Sequence, residues 1–383
     1  MSVTAPLGFR AAGVPAGLKT SGDPDLAVVV NDGPHASAAG VFTSNRCKAN
    51  PVLWSEQAIK SGTARVLVVN SGGANCYTGP EGFATTHRTA ELAADLLGVA
   101  PIEVQVASTG LIGMLNDREA LLSGVRAAVA ALDGDGGPAA ARAIMTTDTR
   151  PKEAVVDGAG YTIGAMAKGA GMLAPSLATM IVVLTTDAVL TPEQCDTALR
   201  HATSRSFDRL DSDGCQSTND TVLLMASGAS GVEPCVDELS KQLEALCRDL
   251  ALQLLSDAEG ADHDIAIDVC GAASEDDALE VGRAVSRSAL FKTAIYGRDP
   301  NWGRILASVG TTQAAFDPAD LDVAINGVWV CRESGPGEPR ERVDLTSRAV
   351  TVTIDLKAGD AAATIWTNDL TQAYVHENSA YSS

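Results

Sequence analysis

The chain has 383 residues, 45% hydrophobic, 20% charged and only 4% aromatic, with a formal net charge of −20. That length holds two domains with at least one large core, and 28 basic against 48 acidic residues argue against a cationic face for nucleic acid. No apolar run reaches the ~18 residues of a membrane helix, and residues 1–6 lack the basic start and apolar stretch of a signal peptide, so a cytoplasmic protein is expected.

In chain order, residues 26–31 and 64–70 are short β-branched segments ending in polar loops, and both read as buried strands. Apolar and small residues then recur at helical spacing over 82–97 and 117–132. Gly134-Asp135-Gly136-Gly137-Pro138 marks a loop before a short helix at 139–147. Residues 154–164 read as a hairpin turning at Gly158-Ala159-Gly160, and a strand is expected from 179 to 188. A helix starts at Thr191-Pro192-Glu193, where proline occupies an early position that it tolerates, and a strand follows at 221–226. The clearest amphipathic helix is 237–256, with Leu239, Leu243, Leu246, Leu250, Leu254 and Leu255 near one face. Beyond it come a strand at 265–269, a helix at 278–288, and strands at 323–329 and 350–356 of a smaller C-terminal sheet. Helices and strands mix without strict alternation, which argues against a simple doubly wound sheet.

Standard cofactor and metal signatures fail. Gly169-Ala170-Gly171 lacks the third glycine of a dinucleotide fingerprint, and neither a Gly-Lys-Ser/Thr phosphate loop nor HExxH occurs. The eight cysteines are scattered without a CxxC and read as reduced thiols, so no metal or cofactor is expected. Five dispersed histidines, none in a Gly-x-Ser-x-Gly setting, favour a nucleophile that brings its own base.

One place stores such a group. In residues 168–187 a Gly-rich loop with a proline runs into a β-branched segment, with Ala178-Thr179 at the junction. Cleavage there would give Thr179 a free α-amine beside its own hydroxyl, so that one residue supplies nucleophile and base. The same local pattern also fits a loop entering a buried strand. Thr109-Gly110, after the apolar segment 104–107, offers donors of the kind that stabilise an oxyanion, and equally a plain turn. Thr146 and Thr147 lie in a hydroxyl-rich run that also fits a capped helix end, and Lys168 fits either a carboxylate-binding group or an ordinary surface lysine. The polar run 212–221 feeds a strand, Glu259 can hold an ammonium, and 297–304 reads as a structural corner. Residues 374–383 are too rich in specific polar and aromatic groups for a frayed tail, and are expected to fold back into a pocket.

Taken in order, VVNSGGAN (68–75), ASTGLIG (107–113), IMTTDTRPK (144–152), MAKGAGMLAPSLATM (166–180), STNDT (217–221), Glu259-Gly260, GRDPNWGR (297–304) and ENSAYSS (377–383) form a specific set. From about residue 10 to the last residue, the chain resembles the ornithine acetyltransferase family, also called glutamate N-acetyltransferases. The resemblance implies an α/β fold: a layered α-β-β-α sandwich related to self-cleaving aminopeptidases, with a smaller C-terminal α/β domain. The expected limits are 1–235 for the main catalytic domain and 236–383 for the smaller one, whose tail returns to the site.

It further implies self-cleavage between Ala178 and Thr179, the two fragments staying together as α2β2. Thr109 and Gly110 would form the oxyanion pair. Thr146, Lys168, Thr179, Glu259, Asn378 and Ser383 would contact substrate, with Thr147 an alternative to Thr146. The implied activity is ping-pong transfer of an acetyl group from N2-acetylornithine to L-glutamate in cyclic arginine biosynthesis, through an acetyl-threonine. These residues leave open whether acetyl-CoA also donates. The chain departs from the family pattern at Ala258, Asp262, His263, Gly73 and Cys76-Tyr77, and ends in serines where threonines are common. Two other readings stand beside this one: a self-cleaving N-terminal-nucleophile amidohydrolase or aminopeptidase using water as acceptor, and a binding protein whose Ala178-Thr179 bond stays intact.

Overall fold

Segments such as Leu26-Ala27-Val28-Val29-Val30-Asn31 are buried along their whole length, and strands of that kind must be covered on both faces. The computed structural model describes residues 2–171 and 180–380 and meets this requirement with stacked sheets. The first half of the chain forms β1 (Phe9–Val14), β2 (Leu26–Asn31), β3 (Ser37–Phe42), α1 (Asn50–Ala58), β4 (Val66–Asn70), α2 (Gly79–Leu97) and β5 (Val104–Ser108). Then come α3 (Arg118–Ala130), α4 (Gly137–Ala143), β6 (Lys152–Asp157) and β7 (Thr162–Lys168). From residue 180 onward follow β8 (Ile181–Thr186), α5 (Pro192–Ser204), β9 (Thr221–Ala226) and α6 (Val236–Ser256). Local signals fix several ends. The Asp117 side chain caps α3 by accepting from Ala120 N at 3.0 Å, and Thr191 with Gln194 forms a reciprocal capping box on α5.

β1-β2-β4-β5 make a four-stranded sheet and β3-β9-β8-β7-β6 a five-stranded one. Val29, Leu67 and Val69 of the first sheet pack against Met166, Ile181, Val183 and Leu223 of the second. The outer face of the first sheet (Val28, Val68, Val106) is covered by Leu92, Leu121 and Val125 of α2 and α3. The outer face of the second (Ile163, Val182, Leu224) is covered by Leu199 of α5 and Leu243, Leu246 and Leu250 of α6. The order is therefore helix, sheet, sheet, helix, as the resemblance implied.

The remaining chain forms β10 (Asp264–Ala272), α7 (Glu275–Ser286), α8 (Ala289–Tyr296), α9 (Trp302–Val309), β11 (Asp322–Ile325), β12 (Val328–Arg332), β13 (Gly335–Pro336), β14 (Ala349–Asp355), β15 (Ala361–Asn368) and α10 (Gln372–Ala380). Its six strands are ordered β13-β12-β11-β14-β10-β15, and Ile267, Val323 and Val352 pack against Val281, Phe291 and Ile305. Two features differ from expectation. The single strand expected at 323–329 is a hairpin, because Asn326 and Gly327 take φ of 47° and 79° and reverse the chain. The expected corner at 297–304 ends inside α9, which Trp302 opens. α6, which begins at the expected domain limit, packs its leucines into the five-stranded sheet's core, whereas the C-terminal sheet begins at Asp264. Among the described residues, no helix is long and apolar enough to cross a membrane.

Strand register sets the position of the site. β4 and β5 run parallel and end together at Asn70 and Ser108, while β7 ends at Lys168 beside Ile181, the start of β8. Ile181 in turn lies beside Thr221, the start of parallel β9. Five strand ends thus converge at one edge of the stacked sheets.

Candidate active site

Asn70 organises the turn at the end of β5. Its carbonyl accepts from Thr109 N at 2.9 Å, its side-chain oxygen accepts from Ser108 Oγ, and its Nδ2 donates to Gly73 O at 3.1 Å. Asn219 joins this turn to the second sheet by donating to Ala74 O and Ser108 O, each at 2.7 Å. Gly110 has φ of +123°, and a Cβ there would lie 2.9 Å from Gly73 N, so only glycine fits. Thr109 is buried, and no acceptor for the Gly110 N–H is found among the described residues. A hydroxyl and an N–H held in this way are able to bind an oxyanion.

Lys168, 1% exposed at the end of β7, donates from Nζ to Thr109 Oγ1 at 3.1 Å. Burial pushes its proton affinity below the usual lysine range, and Lys152 adds to that. Asp148, Asp220 and Glu259 act in the opposite direction. Glu259 follows α6; its N–H donates to Ala170 O at 2.9 Å and its Oε1 accepts from Thr147 Oγ1 at 2.7 Å. Thr109, Gly110, Leu111, Ile112, Thr146, Thr147, Lys168, Gly171, Glu259 and Asn378 line one cavity of about 310 Å³. The expected Thr109, Gly110, Thr146, Lys168, Glu259 and Asn378 therefore meet. Thr147 is there too, and it is the threonine that bonds Glu259. Ala178, Thr179 and Ser383 lie outside the described residues.

Beneath this cavity sits a network that the sequence reading missed. Lys152 is 0% exposed, and its Nζ donates to Asp148 Oδ1 and Asp257 Oδ2, each at 2.5 Å, and to Gly169 O at 3.2 Å. Asp148 also accepts from Thr146 N at 2.9 Å and Gly169 N at 2.7 Å, and Asp257 accepts from Thr149 N at 3.0 Å. One ammonium thus ties together the loop bearing Thr146 and Thr147, the residue after Lys168, and the turn two residues before Glu259. Burial by itself would raise the Asp148 carboxyl, but Lys168, Lys152 and the Gly169 N–H outweigh it and hold it at about 2. Only the i,i+4 spacing of Asp148 and Lys152 hinted at the pair; Asp257 is distant in sequence.

Met180, the residue that follows Thr179, is buried and donates its N–H to Asp220 Oδ1 at 3.1 Å. Complete burial raises Asp220 well above the ordinary carboxylate range, against the Met180 N–H, Ser217 and Lys168, which pull it down. At the sequence departure noted above, His263 is a buried structural residue: its Nδ1 lies 2.7 Å from Asp369 Oδ2. No group of three or more metal-ligating side chains occurs among the described residues.

Comparison with known proteins gives concordant matches. The ArgJ family model matches residues 10–383. The arginine biosynthesis bifunctional protein ArgJ of Thermobifida fusca is 64% identical over 382 residues, covering 100% of both chains. Among solved structures, the arginine biosynthesis bifunctional protein of Bacillus halodurans is 35% identical with a TM-score of 0.50, covering 52% of this chain and 98% of its own. An ornithine acetyltransferase from Mycobacterium tuberculosis, solved with ornithine, is 54% identical with a TM-score of 0.45, covering 46% of this chain and 95% of its own.

Proposed function

The chain belongs to the ArgJ family, and from that premise we propose that it is an acetyltransferase of arginine biosynthesis, moving the acetyl group of N2-acetylornithine to L-glutamate through an ester on Thr179. The observation that carries this reading is the joining of Thr109, Gly110, Lys168 and Glu259 in one cavity, at the sheet edge where Met180 leads into β8.

During maturation the Thr179 hydroxyl attacks the Ala178 carbonyl, the amide nitrogen of Thr179 leaves as an amine, and water hydrolyses the resulting ester. In turnover Thr179 Oγ attacks the acetyl carbonyl and its proton passes to the α-amine. Thr109 and Gly110 hold the negative oxygen, an effect of about 3 kcal/mol per donor. The intermediate collapses by expelling the ornithine amine, which takes the proton back. Glutamate's amine then attacks the ester by the same route and restores the Thr179 hydroxyl. Lys168 receives the α-carboxylate of either substrate, and Glu259 the side-chain ammonium of the donor. Thr146, Asn378 and Ser383 complete the substrate contacts. The word "bifunctional" in the relatives' names fits a second donor: a thioester such as acetyl-CoA would acylate Thr179 through the same oxyanion pair. Processing into residues 1–178 and 179–383, paired as α2β2 in the cytoplasm, belongs to the proposal. The half-length Bacillus halodurans match supports the division into two fragments, since nearly all of that solved chain is covered by 52% of this one.

Mass spectrometry of the purified protein is expected to give fragments that meet at 178/179, and Thr179→Ala to give one intact, inactive chain. An intact native chain with full activity would overturn the reading. Acetate release from N2-acetylornithine at a rate indifferent to glutamate would instead support the amidohydrolase.

A further inference from the structure

α10 carries Asn378 to the transfer cavity, yet none of its residues is buried and Val375 is 57% exposed. A helix without an apolar face against the core takes its place from the hydrogen bonds at its ends. Those of its first turn converge on the segment between β15 and α10. Thr371 is buried, and its Oγ1 accepts from Tyr374 N at 2.9 Å, which caps the helix. The same hydroxyl donates at 2.5 Å to the carbonyl oxygen of Gly260, the residue after Glu259. Gly260 takes φ of +61°, and a Cβ there would lie 2.2 Å from Tyr374 N, so only glycine lets the two segments approach this closely. One hydroxyl thus bridges the turn that presents Glu259 and the helix that presents Asn378.

The residues just before Thr371 secure the bridge. Asp369 Oδ1 accepts from the N–H groups of Asp262 and His263 at 3.0 Å each, and Asn368 Nδ2 donates to Leu255 O and His263 O at 3.1 Å each. Residues 255–263 are therefore gripped on both sides of Glu259. Asn368, Asp369 and Tyr374 also line a second cavity, of about 300 Å³, which has Glu259 in its wall as well. The opposite side of the transfer cavity is held by other means: Asn70 and Asn219 fix the Thr109–Gly110 turn, and β7 carries Lys168. We propose that Thr371 is a positioning residue for substrate recognition, its hydroxyl fixing Glu259 and Asn378 relative to each other. The cavity then has two walls set independently, one for the oxyanion and one for the polar ends of an amino-acid substrate. Loss of the bridging hydroxyl shifts the second wall and leaves the first in place. That Glu259 and Asn378 meet substrate rests on the function proposed above.

Thr371→Val removes the hydroxyl and Thr371→Ser keeps it. In calorimetric titrations of the whole protein with L-ornithine, Kd should rise at least about tenfold in Thr371→Val and stay within about twofold of native in Thr371→Ser. KM for N2-acetylornithine should rise by a similar factor in Thr371→Val with kcat within about threefold, the pattern of lost ground-state binding. Gly260→Ala keeps the hydroxyl but forces the two segments apart, and should weaken ornithine binding in the same way even where Thr371→Val folds poorly. An unchanged Kd in Thr371→Val or in Gly260→Ala, or equal weakening in Thr371→Val and Thr371→Ser, would overturn the proposal. Ornithine binding that follows the expected order of variants in a protein that moves no acetyl group would leave the role of Thr371 standing and remove the transferase.

Discussion

Lys152 does not line the transfer cavity, yet the three groups it bonds, Asp148, Gly169 and Asp257, lie within two residues of Thr147, Lys168 and Glu259, which do. Removing its ammonium in Lys152→Met strands Asp148 and Asp257 as buried, unmatched carboxylates, a loss of about 3–5 kcal/mol. It also loosens Thr146, Gly169 and the turn before Glu259, so kcat/KM should fall on the order of 10²-fold where the chain still folds. Lys152→Arg, which keeps the charge, should recover part of both; urea midpoints and initial rates check this. Thr109→Ala removes one of the two proposed oxyanion donors without opening the fold, and kcat should drop ~10²–10³-fold while cavity binding of ornithine persists. Asp148 ties stability to acidity. Its folded value of about 2 lies below that of the unfolded chain, so its contribution of about 2 kcal/mol is whole above pH 4 and disappears as pH falls toward 2. Urea midpoints at pH 3 and pH 6 should therefore differ more in the native protein than in Asp148→Asn.

Among the elements, α10 separates binding from stability. It buries no residue, yet Asn378 lines the transfer cavity and Tyr374 the second one. A chain ending at Thr371 should keep its Tm within about 2 °C while losing at least about tenfold in kcat/KM, a split that thermal melts and initial rates resolve. α6 teaches a different lesson. Its leucine periodicity is plain in the sequence, but an amphipathic face does not name its partner. Only packing joins Leu243 and Leu250 to the β6–β9 sheet rather than to the strands that follow. The Asn326-Gly327 turn was a readable signal that a continuous apolar run concealed.

At the scale of the whole molecule, the proposed 178/179 break falls between neighbouring strands of one sheet. β7 pairs with β8 across it, and β3 pairs with β9, so strands from both sides interleave in the order β3-β9-β8-β7-β6. The inter-sheet core likewise mixes Val29 and Met166 with Val183 and Leu223. Fragments made by that cut should co-elute in size exclusion under native conditions and separate only on a denaturing gel. Separation without denaturant would show that the interleaved sheet does not hold them.

The sequence by itself determined the strands with two buried faces, the amphipathic helices and the motifs at Thr109, Lys168, Thr179 and Glu259. Each of these is written in local composition, spacing or an ordered set of short segments. The tertiary structure decided which strand ends meet, how Lys152 links Asp148 to a carboxylate more than a hundred residues away, and that Glu259 serves two cavities. Periodicity and turn chemistry act over a few residues, whereas ion pairing inside a core and the sharing of a wall between cavities are settled by how the layers stack.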